Sequence, residues 1–164
     1  MQKLLARFKF LLKATNQHGV HSPFVYQFLT QGLYGQKRFH KDNTLNVLIK
    51  SVHYFQFKNV DIDAISKDGE ILSNYGDFER RKEKPLDLLF LAEPQQTPEQ
   101  VLNRYQFHND SLILINHIHQ NAENERHWEA FVNHRGFTVT IDGFYCGLAF
   151  IREEQVKEHF RLRI

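Results

Sequence analysis

A single cysteine, Cys146, is all that 164 residues contain, which removes a disulfide framework and any all-thiolate zinc site. Prolines number four and glycines eight, against 41% hydrophobic and 24% charged residues. That balance describes an ordinary globular chain with a core to bury, not a disordered or low-complexity one. Long apolar runs are missing too: the longest are 112–115 and 148–151, far short of the roughly 18 residues a membrane span needs. Charge of one sign is also scarce, with a formal net of +2, so the footprint of a dedicated nucleic-acid binder is absent. The basic clusters at Lys3, Arg7, Lys9 and Lys13, at Arg80, Arg81, Lys82 and Lys84, and at Arg161 and Arg163 read as solvated faces. Nucleic acid is not an expected partner. Nor is there a Ser-His-Asp order, a phosphate loop, a His-Glu-x-x-His or a Cys/His zinc pattern. The length suits one domain with a small helical appendage, and without a signal-peptide pattern the expected location is cytoplasmic.

What is present falls into two regions. Leu4, Leu5, Phe8, Leu11 and Leu12 recur at helical spacing with basic residues mostly opposite, an amphipathic helix. Such a helix can dock on a membrane surface or a partner; packing on its own domain is the simpler expectation. Ser22 and Pro23 predict the start of a second helix over 23–33, and Leu45, Leu48, Ile49 and Val52 predict a third over 44–55. These features divide the chain into an N-terminal helical cap, 1–42, and an α/β core, 43–164.

In the core the period drops to two at Val60, Ile62 and Ala64, with Asp61 and Asp63 on the face expected to meet solvent. A short link ending in Asp68-Gly69 leads to another apolar stretch, 70–75, too close for a parallel neighbour joined by a crossover. The later pattern is regular: strands at 86–91, 111–116 and 137–141, helices at 98–106 and 123–134 between them. The three strands are expected to be parallel, and Asp142-Gly143 predicts a turn into an antiparallel last strand at 144–151. Residues 153–160 read as a terminal helix or turn.

At both ends the residues resemble a known family. His18-Gly19-Val20-His21-Ser22-Pro23-Phe24-Val25 is similar to the opening segment of a bacterial branch of class I AdoMet-dependent methyltransferases. Val139-Thr140-Ile141-Asp142, Phe144-Tyr145, Gly147-Leu148-Ala149-Phe150 and Arg152-Glu153-Glu154-Gln155 are similar to the last two strands and tail of that branch. The resemblance implies a three-layer α/β fold: a partial Rossmann-like methyltransferase sheet under an N-terminal helical cap. It also locates departures. Where the family places a glycine-rich turn after the first strand, residues 57–69 hold one glycine, Gly69, and the helix and second strand that should follow have no room. Ala92-Glu93-Pro94-Gln95 replaces an aspartate and glycine, and Asn116-His117-Ile118-His119 replaces a paired-aspartate and histidine segment in which His119 alone keeps its place.

The candidates for a remnant cofactor pocket are therefore Asp63, Gly69, Glu93, Asn116 and His119; no catalytic residue and no metal ligand set is assigned. His117 and His119, two apart on a strand, would share one side, the placement of an imidazole pair for zinc or iron, but no third ligand is announced. His18 and His21 are expected to bracket the turn before the second helix, and Cys146 to be packed and inert. The expected function is that of a methyltransferase-like protein that is not catalytic, binds no cofactor, and acts through a protein partner or as a homo-oligomer. Self-association, or residues 1–34, would cover the edge left by the lost sheet. The alternative is an AdoMet-dependent methyltransferase with an altered site and AdoMet as its cofactor.

Overall fold

The computed structural model describes residues 2–63 and 84–164. The sequence-predicted strand at 70–75, the Asp68-Gly69 turn and the candidate Gly69 lie outside the described residues, and the side chain of Asp63 is likewise not described.

Helix α1 covers Gln2–Lys13. A short turn over Gln17–Gly19, capped by the Asn16 side chain on His18 N–H, leads to α2, Pro23–Gln27. The Ser22 hydroxyl accepts from Val25 N–H at 3.4 Å and Pro23 fills the first turn, as the sequence predicts. The same rod continues through wider turns over Phe28–Tyr34. Helix α3, Asn43–Phe55, starts at Asp42, whose carboxylate accepts from Leu45 N–H at 2.9 Å, and stops at Gln56, which takes a left-handed backbone.

The strands are β1 Val60–Asp63, β2 Leu86–Leu91, β3 Phe107–Asn116, β4 Val139–Asp142, β5 Cys146–Phe150 and β6 Glu158–Arg161. Helix α4, Pro98–Arg104, carries a Thr97/Gln100 capping box and links β2 to β3; α5, Ala122–Asn133, links β3 to β4. The sheet order is β1-β2-β3-β5-β4-β6. β1, β2 and β3 pair parallel, β5 pairs antiparallel with both β3 and β4, and β6 pairs parallel with β4. β4 therefore runs parallel to β3, as expected, with β5 between them. This mixed sheet is compatible with a Rossmann-like layout.

Alternation along the strands fills two cores. Leu88, Phe90, Leu112, Leu114, Leu148 and Phe150 pack against Val25, Phe28, Leu29, Leu48 and Val52 of the N-terminal helices and α3. Leu89, Leu91, Ile113, Ile115 and Ala149 pack against Val101, Trp128 and Phe131 of α4 and α5. Helices thus cover both faces, giving three layers.

Three expectations are corrected. The antiparallel strand is not the last: of the helix or turn expected at 153–160 the turn is found, at 153–155, and the chain then returns along β4 as β6, with Glu158 N–H donating to Thr138 O at 2.8 Å and Lys157 Nζ reaching the carbonyls of His134 and Phe137. Beyond it Thr15 bridges to Leu162. Asp61 is not solvated but only 8% exposed, and its carboxylate accepts from Ile62 N–H. Finally, α1 does not bury its leucine stripe. Phe10 and Ala14 face the domain, while Leu5, Phe8 and Leu12 are 58%, 61% and 70% exposed.

Candidate functional site at the carboxyl edge of the sheet

Because β1, β2, β3 and β4 run in one direction, their carboxyl ends share one edge, where open α/β sheets take their ligands. Asp63 ends β1 beside Leu91; Glu93 follows β2; Asn116 ends β3; Asp142 ends β4. The residues along this edge form two neighbourhoods.

The first joins β2, β3 and α3. Asn116 Oδ1 accepts from the Thr44 hydroxyl at 2.8 Å and from His117 N–H at 2.9 Å. His117 leaves the strand with φ of 58°, which turns its ring so that Nδ1 lies 3.1 Å from Glu93 Oε1. Both side chains of that pair are well exposed, so it adds little stability.

The second neighbourhood centres on His119. The expected pairing of His117 and His119 on one side of a strand fails, because β3 ends at Asn116 and the left-handed turn at His117 separates the two rings. His119 Nε2 lies 2.8 Å from Asp142 Oδ2, and Nδ1 lies 3.1 Å from Glu125 Oε1 on α5. With a carboxylate oxygen at each ring nitrogen, the imidazolium, which donates at both, is the form that satisfies every partner. Burial works against that charge, but the hydrogen bond and charge of Asp142, followed by those of Glu125, outweigh it and raise the His119 pKa above its ordinary 6.5. Aromatic rings sheathe the pair: Phe144 stacks on His119 at 5.6 Å, and Phe10 of α1 lies 6.0 Å away.

Asp142 has a second role. Its Oδ1 accepts from Phe144 N–H at 2.9 Å, and Phe144 holds φ of 70°, a region bulky residues rarely occupy. A Cβ on Gly143 would lie 2.4 Å from Ile164 Cδ1, so a larger residue there requires the Ile164 side chain to move.

Across the cleft His159, from β6, places Nδ1 2.9 Å from Thr140 Oγ1. Burial lowers its pKa, and the cations of Arg161, Lys157 and His119 add to that against the opposition of Asp142. Two imidazoles lining one cleft are thus pushed in opposite directions. The cleft encloses about 500 Å³, with Phe10, Trp128, Val132 and Phe144 in its walls and Lys9, Lys13 and Arg161 among its lining cations. Among the described residues no group of three or more His, Cys, Asp or Glu side chains is arranged to hold a metal ion. Cys146 is buried and its thiol pKa is pushed up to about 12, by burial first and then by the charge of Asp142.

Of the five sequence candidates, Glu93, Asn116 and His119 come to this edge with Asp63 at its β1 end. The geometry adds Asp142, Glu125, His159 and Phe144. Asp142 carried a signal, a carboxylate ending a strand parallel to β3, but it also fits a turn. His159 carried none once its segment was read as a terminal helix or turn.

Comparison of the chain with protein-family models, curated proteins and solved structures finds no match. No helix among the described residues is long and apolar enough to cross a membrane.

Proposed function

We propose that this chain is a methyltransferase-like protein without a working AdoMet site, which acts by binding a protein partner or a second copy of itself. The observation that carries the reading is how the carboxyl edge is occupied. Asn116 is engaged by Thr44, Glu93 by His117, and His119 by Asp142 and Glu125. Side chains that would hold a nucleoside's hydroxyls are directed to this chain's own groups, and Ala92 stands where the resemblance implies a carboxylate. Parallel β1 to β3 with antiparallel β5 inserted beside β4 fit the partial methyltransferase sheet that the resemblance implies. Fold ancestry without the site does not carry the activity. A cytoplasmic location is part of this reading, a single cysteine leaving no disulfide within the chain.

Loss of two charge-assisted contacts, at about 1.5 to 3 kcal/mol each, weakens AdoMet binding by roughly two to four orders of magnitude. Calorimetric titration with AdoMet and with its demethylated product tests this, with no saturable heat at micromolar ligand as the expected result. Stoichiometric micromolar binding that Glu93→Ala abolishes would overturn the proposal. It would favour the second reading, methyl transfer from AdoMet at an altered site, for which the supporting observation is that His159 and His119 line one cleft. Sedimentation velocity across a concentration series measures self-association directly.

A further inference from the structure

The outer face of α1 has the chemistry of an interfacial helix. Its inward side is fixed at three points: Phe10 against Phe144 at 5.3 Å, Ala14 buried beside it, and the Arg7 guanidinium 5.3 Å above the Tyr145 ring. Leu5, Phe8 and Leu12, at i, i+3 and i+7, point the other way and are 58%, 61% and 70% exposed, with Leu11 at 36% on the same side. Large side chains at this spacing on solvent are not what a soluble helix ordinarily shows.

Charge says what covers them. Residues 1–41 hold seven Lys and Arg (Lys3, Arg7, Lys9, Lys13, Lys37, Arg38, Lys41) and no Asp or Glu, whereas residues 42–164 hold the other fourteen cations and all nineteen acids. The chain's net of +2 is thus +7 in its N-terminal quarter and −5 in the rest. On the α1 helix Lys9 and Lys13 flank the apolar stripe, placed to reach an anionic surface while the leucines and phenylalanine enter it.

Area argues against a second copy as the occupant. At about 200 Å² for a fully exposed side chain of this size, the stripe offers on the order of 400 to 450 Å², about half of the ~800 Å² each partner buries in a standard interface. A bilayer needs no matching surface, only insertion of the apolar face.

We infer that α1 docks the protein on an anionic bilayer, Leu5, Phe8 and Leu12 entering the acyl boundary and Lys9 and Lys13 meeting the headgroups. This goes beyond the function proposed above and does not depend on whether AdoMet binds.

The test is co-sedimentation of the full chain with phosphatidylcholine vesicles, with and without ~30% phosphatidylserine. Binding is expected to the anionic vesicles, weakly or not at all to the neutral ones, and to fall as salt rises. Phe8→Ser/Leu12→Ser should abolish it, and Lys9→Gln/Lys13→Gln should lower the partition coefficient about thirtyfold, near fivefold per lysine. All four positions are exposed, and unchanged Trp128 fluorescence confirms that each variant folds. Three results would overturn the inference: no binding to anionic vesicles, equal binding to neutral ones, or a solution dimer that Phe8→Ser/Leu12→Ser dissociates, which would give the face to a second copy.

Discussion

Replacing Asp142 by asparagine isolates the electrostatics of the His119 cluster. The carboxamide keeps an oxygen for Phe144 N–H, so the left-handed backbone there retains its anchor, but it sets an amide nitrogen opposite His119 Nε2 where the carboxylate stands 2.8 Å away. Asp142 is 2% exposed and His119 21%, so solvent screens the lost charge poorly. A charge-assisted hydrogen bond in such a place contributes about 1.5 to 3 kcal/mol, or roughly 3 to 12 °C in Tm for a chain of this size. The sign with pH follows from the raised His119 pKa. Its stabilisation is fully present below the unfolded value near 6.5 and is lost as pH rises through the folded value. Asp142→Asn should therefore be most damaging at about pH 5.5 and less damaging near pH 9, the direction in which the imidazole gives up its charge. Urea unfolding followed by Trp128 fluorescence at the two pH values gives the difference. His108, raised in the same sense by Asp87, is present in both proteins and cancels. An equal loss at both pH values, or an NMR titration placing His119 at or below its ordinary pKa, would refute the reasoning.

Two further outcomes follow from packing. A Cβ on Gly147 would lie 2.5 Å from the Trp128 ring, so Gly147→Ala should destabilise by about 1 to 3 kcal/mol and shift Trp128 emission; an unaltered urea midpoint would show that the ring yields freely. Cys146, 1% exposed with its pKa pushed up to about 12, should react with a thiol-specific disulfide reagent near pH 8 only after denaturation, and rapid labelling of the native protein would contradict the burial.

The elements that sequence pattern located well are those whose signal is local. Ser22-Pro23, Asp42 and Thr97 each mark a helix start by chemistry contained in three or four residues, and Leu86–Leu91 is apolar enough to need cover on both faces. The misreadings involve direction. Periodicity shows that α1 has an apolar stripe but not whether the stripe turns inward. In the fold, Phe10 and Ala14, which lie off it, are the residues buried. The alternation at β1 likewise separates Asp61 from Val60 without saying that both faces are covered, and Asp61 is buried. Burial of a face is decided by what the rest of the chain puts against it.

The candidate site shows the same dependence. Asp142-Gly143 is a plausible tight turn with the glycine as its left-handed residue, yet the positive φ falls on Phe144. Gly143 has a remote neighbour instead. Ile164 sits where a Gly143 side chain would be, and it does so because β6 lies along β4 and Leu162 N–H donates to Asp142 O at 2.9 Å. The left-handed conformation at Phe144 sits in a tight turn closed by Tyr145 N–H on Gly143 O at 2.9 Å, and the Asp142 carboxylate holds both the strained amide and the imidazole on which the Phe144 ring stacks. Strain of this kind, about 1 to 3 kcal/mol, persists only where surrounding contacts overdetermine it. Here the contacts come from the turn itself, from the Asp142 carboxylate and from β6 alongside, whose residues fall in the segment read as a helix or turn. Once that strand is placed, Asp142, Phe144, His119 and His159 become one site; without it they remain a turn, an aromatic and two separate histidines.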